Sequence, residues 1–153
     1  MNFIEASLAP LKNTGQIKIH TQADFDGMRT VGRMAAQTLD MLGEFVKPGA
    51  TTSFLDDKAV EIIRDLGAVP APLNYRGFLK SICTSINHVV CHGIPSDRIL
   101  EDGDVINVDV TAVVNEYYGD TSRMFVIGKS SVKANNLIDT TYESLMKAIK
   151  ILK

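Results

Sequence analysis

Two neighbouring β-forming runs, residues 104–114 and 121–127, joined by a short polar and aromatic loop, constrain this chain more than any other feature. The first run has two unlike faces. Ile106, Val108, Val110, Ala112 and Val114 make one face apolar throughout, whereas Val105, Asn107, Asp109, Thr111 and Val113 carry polar groups at the centre of the other. Aspartate is a poor strand residue, and an ionised carboxylate is costly to bury without a partner. That face is therefore either simply wet, as in many antiparallel sheets, or chemically occupied. Asp120, just ahead of the second run, favours occupation. A two-residue turn at Val114-Asn115 sets Asp109 directly opposite Asp120, and a four-residue loop offsets them by one pair on the same face. Only an odd-numbered loop separates them. Two-residue hairpin loops are the commonest, so a shared face is expected.

Like charges facing each other across a ladder repel. A shared proton offsets the repulsion, and so do one or two divalent cations, which hard carboxylate oxygens suit. In dinuclear hydrolases the metals sit about 3.5–4 Å apart, a distance bridging carboxylates span. Two aspartates do not fill two coordination spheres, and further ligands are not obvious in this sequence. Competing motifs fail on inspection. Asp102-Gly103-Asp104 opens like a calcium loop, but Ile106 and Asn107 occupy the next ligand and glycine positions. Gly128-Lys129-Ser130 ends like a phosphate loop, but Arg123 stands where the first glycine belongs.

Helical periodicity flanks the strands. A helix opens at Thr21, with Asp24 placed for a capping box, and Met28, Val31, Ala35, Thr38 and Leu42 form one buried stripe. Lys47-Pro48-Gly49 stops it. A second helix starts near Ser53, with Leu55, Ala59, Ile62 and Leu66 on one face and Gly67 as its cap. Pro70 and Pro72 mark a connection. Residues 81–91 are rich in β-branched side chains and end in the turn Cys91-His92-Gly93-Ile94-Pro95. Leu137, Thr141, Leu145, Ala148 and Leu152 restore helical spacing, which still runs at Lys153 without a stop signal. This reads as a chain that ends early inside a larger design. Residues 1–20 read as an arm.

Composition excludes several classes. The 153 residues are 45% hydrophobic and 22% charged with a net charge of −2, a globular profile without the basic footprint of a nucleic-acid binder. No apolar stretch approaches the roughly 20 residues that cross a bilayer. Cys83 and Cys91 alone make neither a disulfide framework nor a zinc finger. The first residues lack the basic and apolar regions of a secretion signal, so the expected compartment is the cytosol. His92 lies among small and rigid neighbours, which suits either a surface histidine or one held toward a cleft. His88 falls within a strand run and reads as exposed or hydrogen-bonded. Tyr75, Phe78 and Cys83 suit a core as well as a pocket.

Three stretches together resemble bacterial type I methionine aminopeptidases: residues 85–95, Ser-Ile-Asn-His-Val-Val-Cys-His-Gly-Ile-Pro; residues 104–111, Asp-Val-Ile-Asn-Val-Asp-Val-Thr; and Gly119-Asp120-Thr121-Ser122. The likeness runs from about Ile19 to the last helix. It implies an α/β (α+β) chain, the amino-terminal half of a pita-bread (creatinase/aminopeptidase) fold with an antiparallel sheet packed with helices, residues 21–153 being the first half of the catalytic domain. It assigns Asp109 and Asp120 as metal ligands and His92 as a substrate-interacting, catalytic histidine. Tyr75, Phe78 and Cys83 match a methionine pocket, with Phe78 in place of a frequent tyrosine and Leu79 in place of a proline. The family's remaining ligands, a His and two Glu, have no counterpart in this chain, nor has a second substrate histidine. The implied cofactors are divalent metal ions, two per complete site (Co, Mn, Fe or Zn). The implied partners are nascent polypeptides with an amino-terminal Met and the ribosome, with no nucleic acid or membrane, and the complete enzyme is expected to be a monomer. An inactive fragment or a non-catalytic binding protein of the same fold is the alternative.

Overall fold

The hairpin organises the fold. In the computed structural model, which describes residues 2–5 and 16–152, β5 (Val105–Val114) and β6 (Tyr117–Val126) pair antiparallel over their full length. Asn115 and Glu116 join them with φ of 49° and 66°. Two successive positive φ values are what a type I′ turn requires, and its twist matches that of the strands. The turn thus falls one residue later than Val114-Asn115, and residues 117–120 belong to the second strand instead of to a loop. On its other edge β5 pairs antiparallel with β3 (Val69–Pro70) and β4 (Cys83–Ile86). β4 is shorter than the expected run over 81–91. At Asn87 the backbone turns to φ 53°, and the side-chain carbonyl of Asn87 accepts from the Val105 N–H at 3.0 Å. Its amide donates to Asp104 at 2.8 Å. An asparagine side chain thus takes one of the two bonds of the next rung, the other being Asn87 N–H to Val105 C=O at 2.9 Å, and His88 lies in an exposed turn instead of in a strand.

Ile106, Val108, Val110 and Ala112 are wholly buried beneath α1 (Gln22–Gly43) and α2 (Thr52–Asp65). The capping box forms as expected, with the Thr21 N–H donating to the Asp24 carboxylate at 2.7 Å. Val31, Ala35, Thr38, Leu39 and Leu42 are buried, but Met28 is 47% exposed. Gly27 takes the inward position in that turn, because a Cβ there would stand 2.4 Å from the Tyr117 ring. α1 ends before Lys47-Pro48-Gly49, and bonds such as Phe45 N–H to Leu42 C=O at 2.9 Å tighten its end into i→i−3 turns. Thr51 caps α2, whose Leu55, Ala59 and Ile62 are buried as expected, while Leu66, at its C-cap, is partly buried against the same core. Gly67 follows with φ 81°.

α3 (Val132–Ile151), capped by Ser131, buries none of its residues. Its apolar stripe is open, with Leu137 68%, Leu145 56% and Ile149 50% exposed. Of the expected arm, residues 1 and 6–15 lie outside the described residues; β1 (Asn2–Glu5) pairs parallel with β2 (Gln16–Ile19). No described helix is long and apolar enough to cross a membrane.

Candidate metal centre and substrate pocket

Strand alternation carries Asn107, Asp109 and Thr111 to the face of β5 opposite the core. Asp109 stands opposite Ser122 on β6 and opposite Cys83 on β4, and Asp120 stands opposite Thr111. The two aspartates share a face, as expected from loop parity. They are diagonal neighbours and not a directly opposed pair, because the turn has moved by one residue. The Thr111 hydroxyl donates to Asp120 at 3.2 Å, and the Asn107 amide donates to Ser122 at 3.2 Å.

A cavity of about 610 Å³ opens on this face. It is lined by Ala71, Pro72, Tyr75, Phe78, Cys83, His92, Asp109, Thr111, Tyr118 and Asp120. Every residue singled out above as a ligand, substrate histidine or pocket wall therefore lines one cavity. β5 forms its floor. Tyr75 and Phe78 come from the tight loop between β3 and β4, where the Asn74 N–H donates to the Phe78 carbonyl at 2.7 Å and Asn74, Arg76 and Gly77 all have positive φ. Tyr75 is 64% exposed, so it is a wall residue and not core. Cys83 is buried yet still reaches the cavity. His92 is held by its neighbour. Gly93 packs so closely on β4 that a Cβ would stand 2.1 Å from the Thr84 carbonyl oxygen, and its own carbonyl accepts from the Thr84 N–H at 2.8 Å. A glycine is required there for the loop to lie against the strand.

His88 does not join this group. It lines a separate cavity of about 270 Å³ with Thr84, whose position next to Cys83 turns it to the other face of β4. Three lining residues escaped the sequence reading as parts of the site, Ala71, Pro72 and Tyr118. Tyr118 was legible in principle, since it lies two residues from Asp120 and shares its parity.

Burial, and then the negative charge of Asp120, push the Asp109 carboxyl above the usual aspartate range, with His92 acting in the opposite direction. Burial and the charge of Asp109 likewise raise the Cys83 thiol to about 11. Neither aspartate forms a salt bridge with a described Lys or Arg. A converging pair of hard oxygen donors without a countercharge fits a divalent cation. The set is partial: among the described residues no group of three or more His, Cys, Asp or Glu side chains gathers to hold a metal.

Comparison with known proteins places the chain in a family. Residues 26–153 match the model of metallopeptidase family M24. Methionine aminopeptidase from Rickettsia prowazekii is 53% identical over 137 residues, 90% of this chain and 53% of that protein. The chloroplastic/mitochondrial methionine aminopeptidase 1D of Arabidopsis thaliana is 46% identical over 97% of this chain and 42% of its own length. The crystal structure of the Rickettsia prowazekii enzyme superposes with a TM-score of 0.84 at 54% identity, covering 86% of this chain and 53% of that one. That of the Thermotoga maritima methionine aminopeptidase gives 0.86 at 32% identity, covering 90% and 55%. The chain thus has the α/β pita-bread architecture of these enzymes and spans about half the length of the curated relatives it matches. By its family match over residues 26–153, this chain belongs to the M24 metallopeptidases.

Proposed function

We propose that this chain supplies the first half of the active site of a metal-dependent aminopeptidase that removes the initiator methionine from nascent proteins. In this reading residues 21–153 are the first half of the catalytic domain. The observation that carries it is the convergence of Tyr75, Phe78, Cys83, His92, Asp109 and Asp120 on one cavity. Asp109 and Asp120 are the residues that would hold the metal. When bound, two divalent cations (Co, Mn, Fe or Zn) supply Lewis acidity and an activated water. His92 donates a hydrogen bond toward the oxygen on which charge develops during attack on the first peptide carbonyl. Tyr75, Phe78 and Cys83 enclose the methionine side chain, exclude water from it and so orient the first amide toward the carboxylates. With its thiol raised to about 11, Cys83 stays uncharged at neutral pH and offers the thioether a neutral wall. The partners of such a site are nascent chains at the ribosome, in the cytoplasm, and the complete enzyme is a monomer.

The alternative is an inactive fragment or a non-catalytic binding protein of this fold, against which the retained carboxylate pair argues. One experiment separates the two. Methionine release from Met-Ala-Ser is measured with Co or Mn for the chain alone and for the chain mixed with the carboxy-terminal half of a homologous enzyme. The aminopeptidase reading expects little release from the chain alone, restoration on mixing, and loss of that restoration in D109N and D120N. Mixing that never yields release, with the halves shown to associate, overturns it in favour of the alternative.

A further inference from the structure

Adjacent tyrosines on β6 do different work. Tyr117 is a structural residue: its hydroxyl donates to Asp24 at 2.9 Å, and its ring packs against Gly27 and the core. Strand alternation turns Tyr118 to the other face, beside Asp120. Tyr118 is 58% exposed, lines the carboxylate cavity, and has no hydrogen-bond partner among the described residues. Nothing in the core uses it.

Its position across the cavity gives it a use. Tyr75, Phe78 and Cys83 belong to the β3–β4 side of β5, Asp109 lies on β5, and Asp120 and Tyr118 stand together on β6 on the other side. A peptide that places its first side chain on the first wall and its first amide at the carboxylates has the Tyr118 ring on the opposite wall. A tyrosine there offers a broad apolar surface, a polar tip, and little conformational entropy to lose. We propose that Tyr118 is a substrate-contacting residue that grips the peptide beyond its first residue and so makes the site prefer peptides over a lone methionine. This inference rests on the aminopeptidase reading above.

Calorimetric titration of the full chain with methionine amide and with Met-Ala-Ser, both in the presence of Mn, tests it. The wild type binds the tripeptide about three- to tenfold more tightly than the amide, the value of one aromatic contact. Y118A brings that ratio toward one, and Y118F retains most of it, with circular dichroism checking that both variants fold. Equal tripeptide preference in Y118A and the wild type overturns the inference while leaving the aminopeptidase reading intact. So does a Y118A that weakens both ligands alike, since that is the signature of a merely structural role. A wild-type chain that binds the two ligands equally, or neither, overturns this inference and leaves the aminopeptidase reading to the mixing experiment.

Discussion

Asp109 and Asp120 sit diagonally across the β5–β6 hairpin, with Asp109 opposite Ser122 and Asp120 opposite Thr111. Diagonal cross-strand neighbours lie about 7–8 Å apart, farther than a directly opposed pair. Their side chains nonetheless reach toward each other in one cavity, where the Asp120 carboxylate helps to raise Asp109. The Thr111 hydroxyl donates to Asp120 at 3.2 Å, and a cation held between the two groups would offset the rest of their repulsion.

Substituting Asp109 with asparagine should stabilise the metal-free chain, and by more as pH rises. Burial first, and Asp120 second, raise the Asp109 carboxyl in the folded state. A group raised on folding contributes stability that is fully present below its unfolded value, about 3.9, and is lost as pH rises through the folded value. With EDTA present, D109N therefore gains on the wild type from about pH 4 upward. Saturating Mn reverses the order at pH 7, because the ion binds the ionised pair and stabilises only the folded state. Urea midpoints at several pH values measure both effects. A D109N advantage that does not change with pH would mean that no strained carboxylate exists at this site.

The loop bearing His92 should depend on Gly93. A methyl group there would meet the Thr84 carbonyl oxygen at 2.1 Å and the Ser85 Cα at 2.9 Å, both backbone atoms that cannot swing aside. G93A is expected to cost about 1–3 kcal/mol and to move the His92 ring resonances. G32A is the control, since a Cβ at Gly32 meets nothing within 4 Å. Equal urea midpoints for G93A and G32A would show that the loop does not rest on β4.

How much of this was legible depended on whether short-range chemistry or tertiary packing decided each feature. The Thr21–Asp24 capping box, the apolar face of β5 and the common face of Asp109 and Asp120 are local or parity effects, and the sequence states them directly. The exact rung was not legible, because Asn115-Glu116 forms the positive-φ turn in place of Val114-Asn115, and both dipeptides fit the spacing. Met28 failed for another reason. Its turn faces Tyr117, ninety residues away in the chain, and only that ring makes Gly27 the inward residue. Likewise, β4 is cut short by an Asn87–Val105 bond that no window of local sequence contains. Tyr75 and Phe78 were placed in the pocket by family likeness alone, since spacing suits a core equally well.

The apolar stripe of α3 should be dispensable for the stability of the rest. Leu145 and Ile149 are 56% and 50% exposed, and α3 buries no residue. L145E combined with I149E is therefore expected to leave the unfolding midpoint within about 0.5 kcal/mol of the wild type and to reduce binding of a hydrophobic dye. L55A, at a wholly buried position, should cost about 2–5 kcal/mol. A double variant as unstable as L55A would show that the helix packs against the core in solution.

The two cysteines give the last test, because they report on the carboxylate pair without any assay of catalysis. Cys91 is exposed, whereas Cys83 is buried and faces Asp109 across the β4–β5 ladder. Alkylation proceeds through the thiolate, and burial and then the charge of Asp109 raise the Cys83 thiol to about 11. Iodoacetamide at pH 8 should thus label Cys91 first and Cys83 slowly, as read by peptide mass spectrometry. Removing the nearby charge in D109N should speed Cys83 alone, since burial stays the same and only the electrostatic contribution falls. The gain should be less than about tenfold, which corresponds to one pKa unit, because burial is the larger cause. Mn should mimic D109N in the wild type by neutralising the same carboxylate, provided that the bound ion leaves the thiol accessible to the reagent. If Cys83 labels as fast as Cys91, or if D109N leaves its rate unchanged, Asp109 does not face that thiol and the cavity is not built as described.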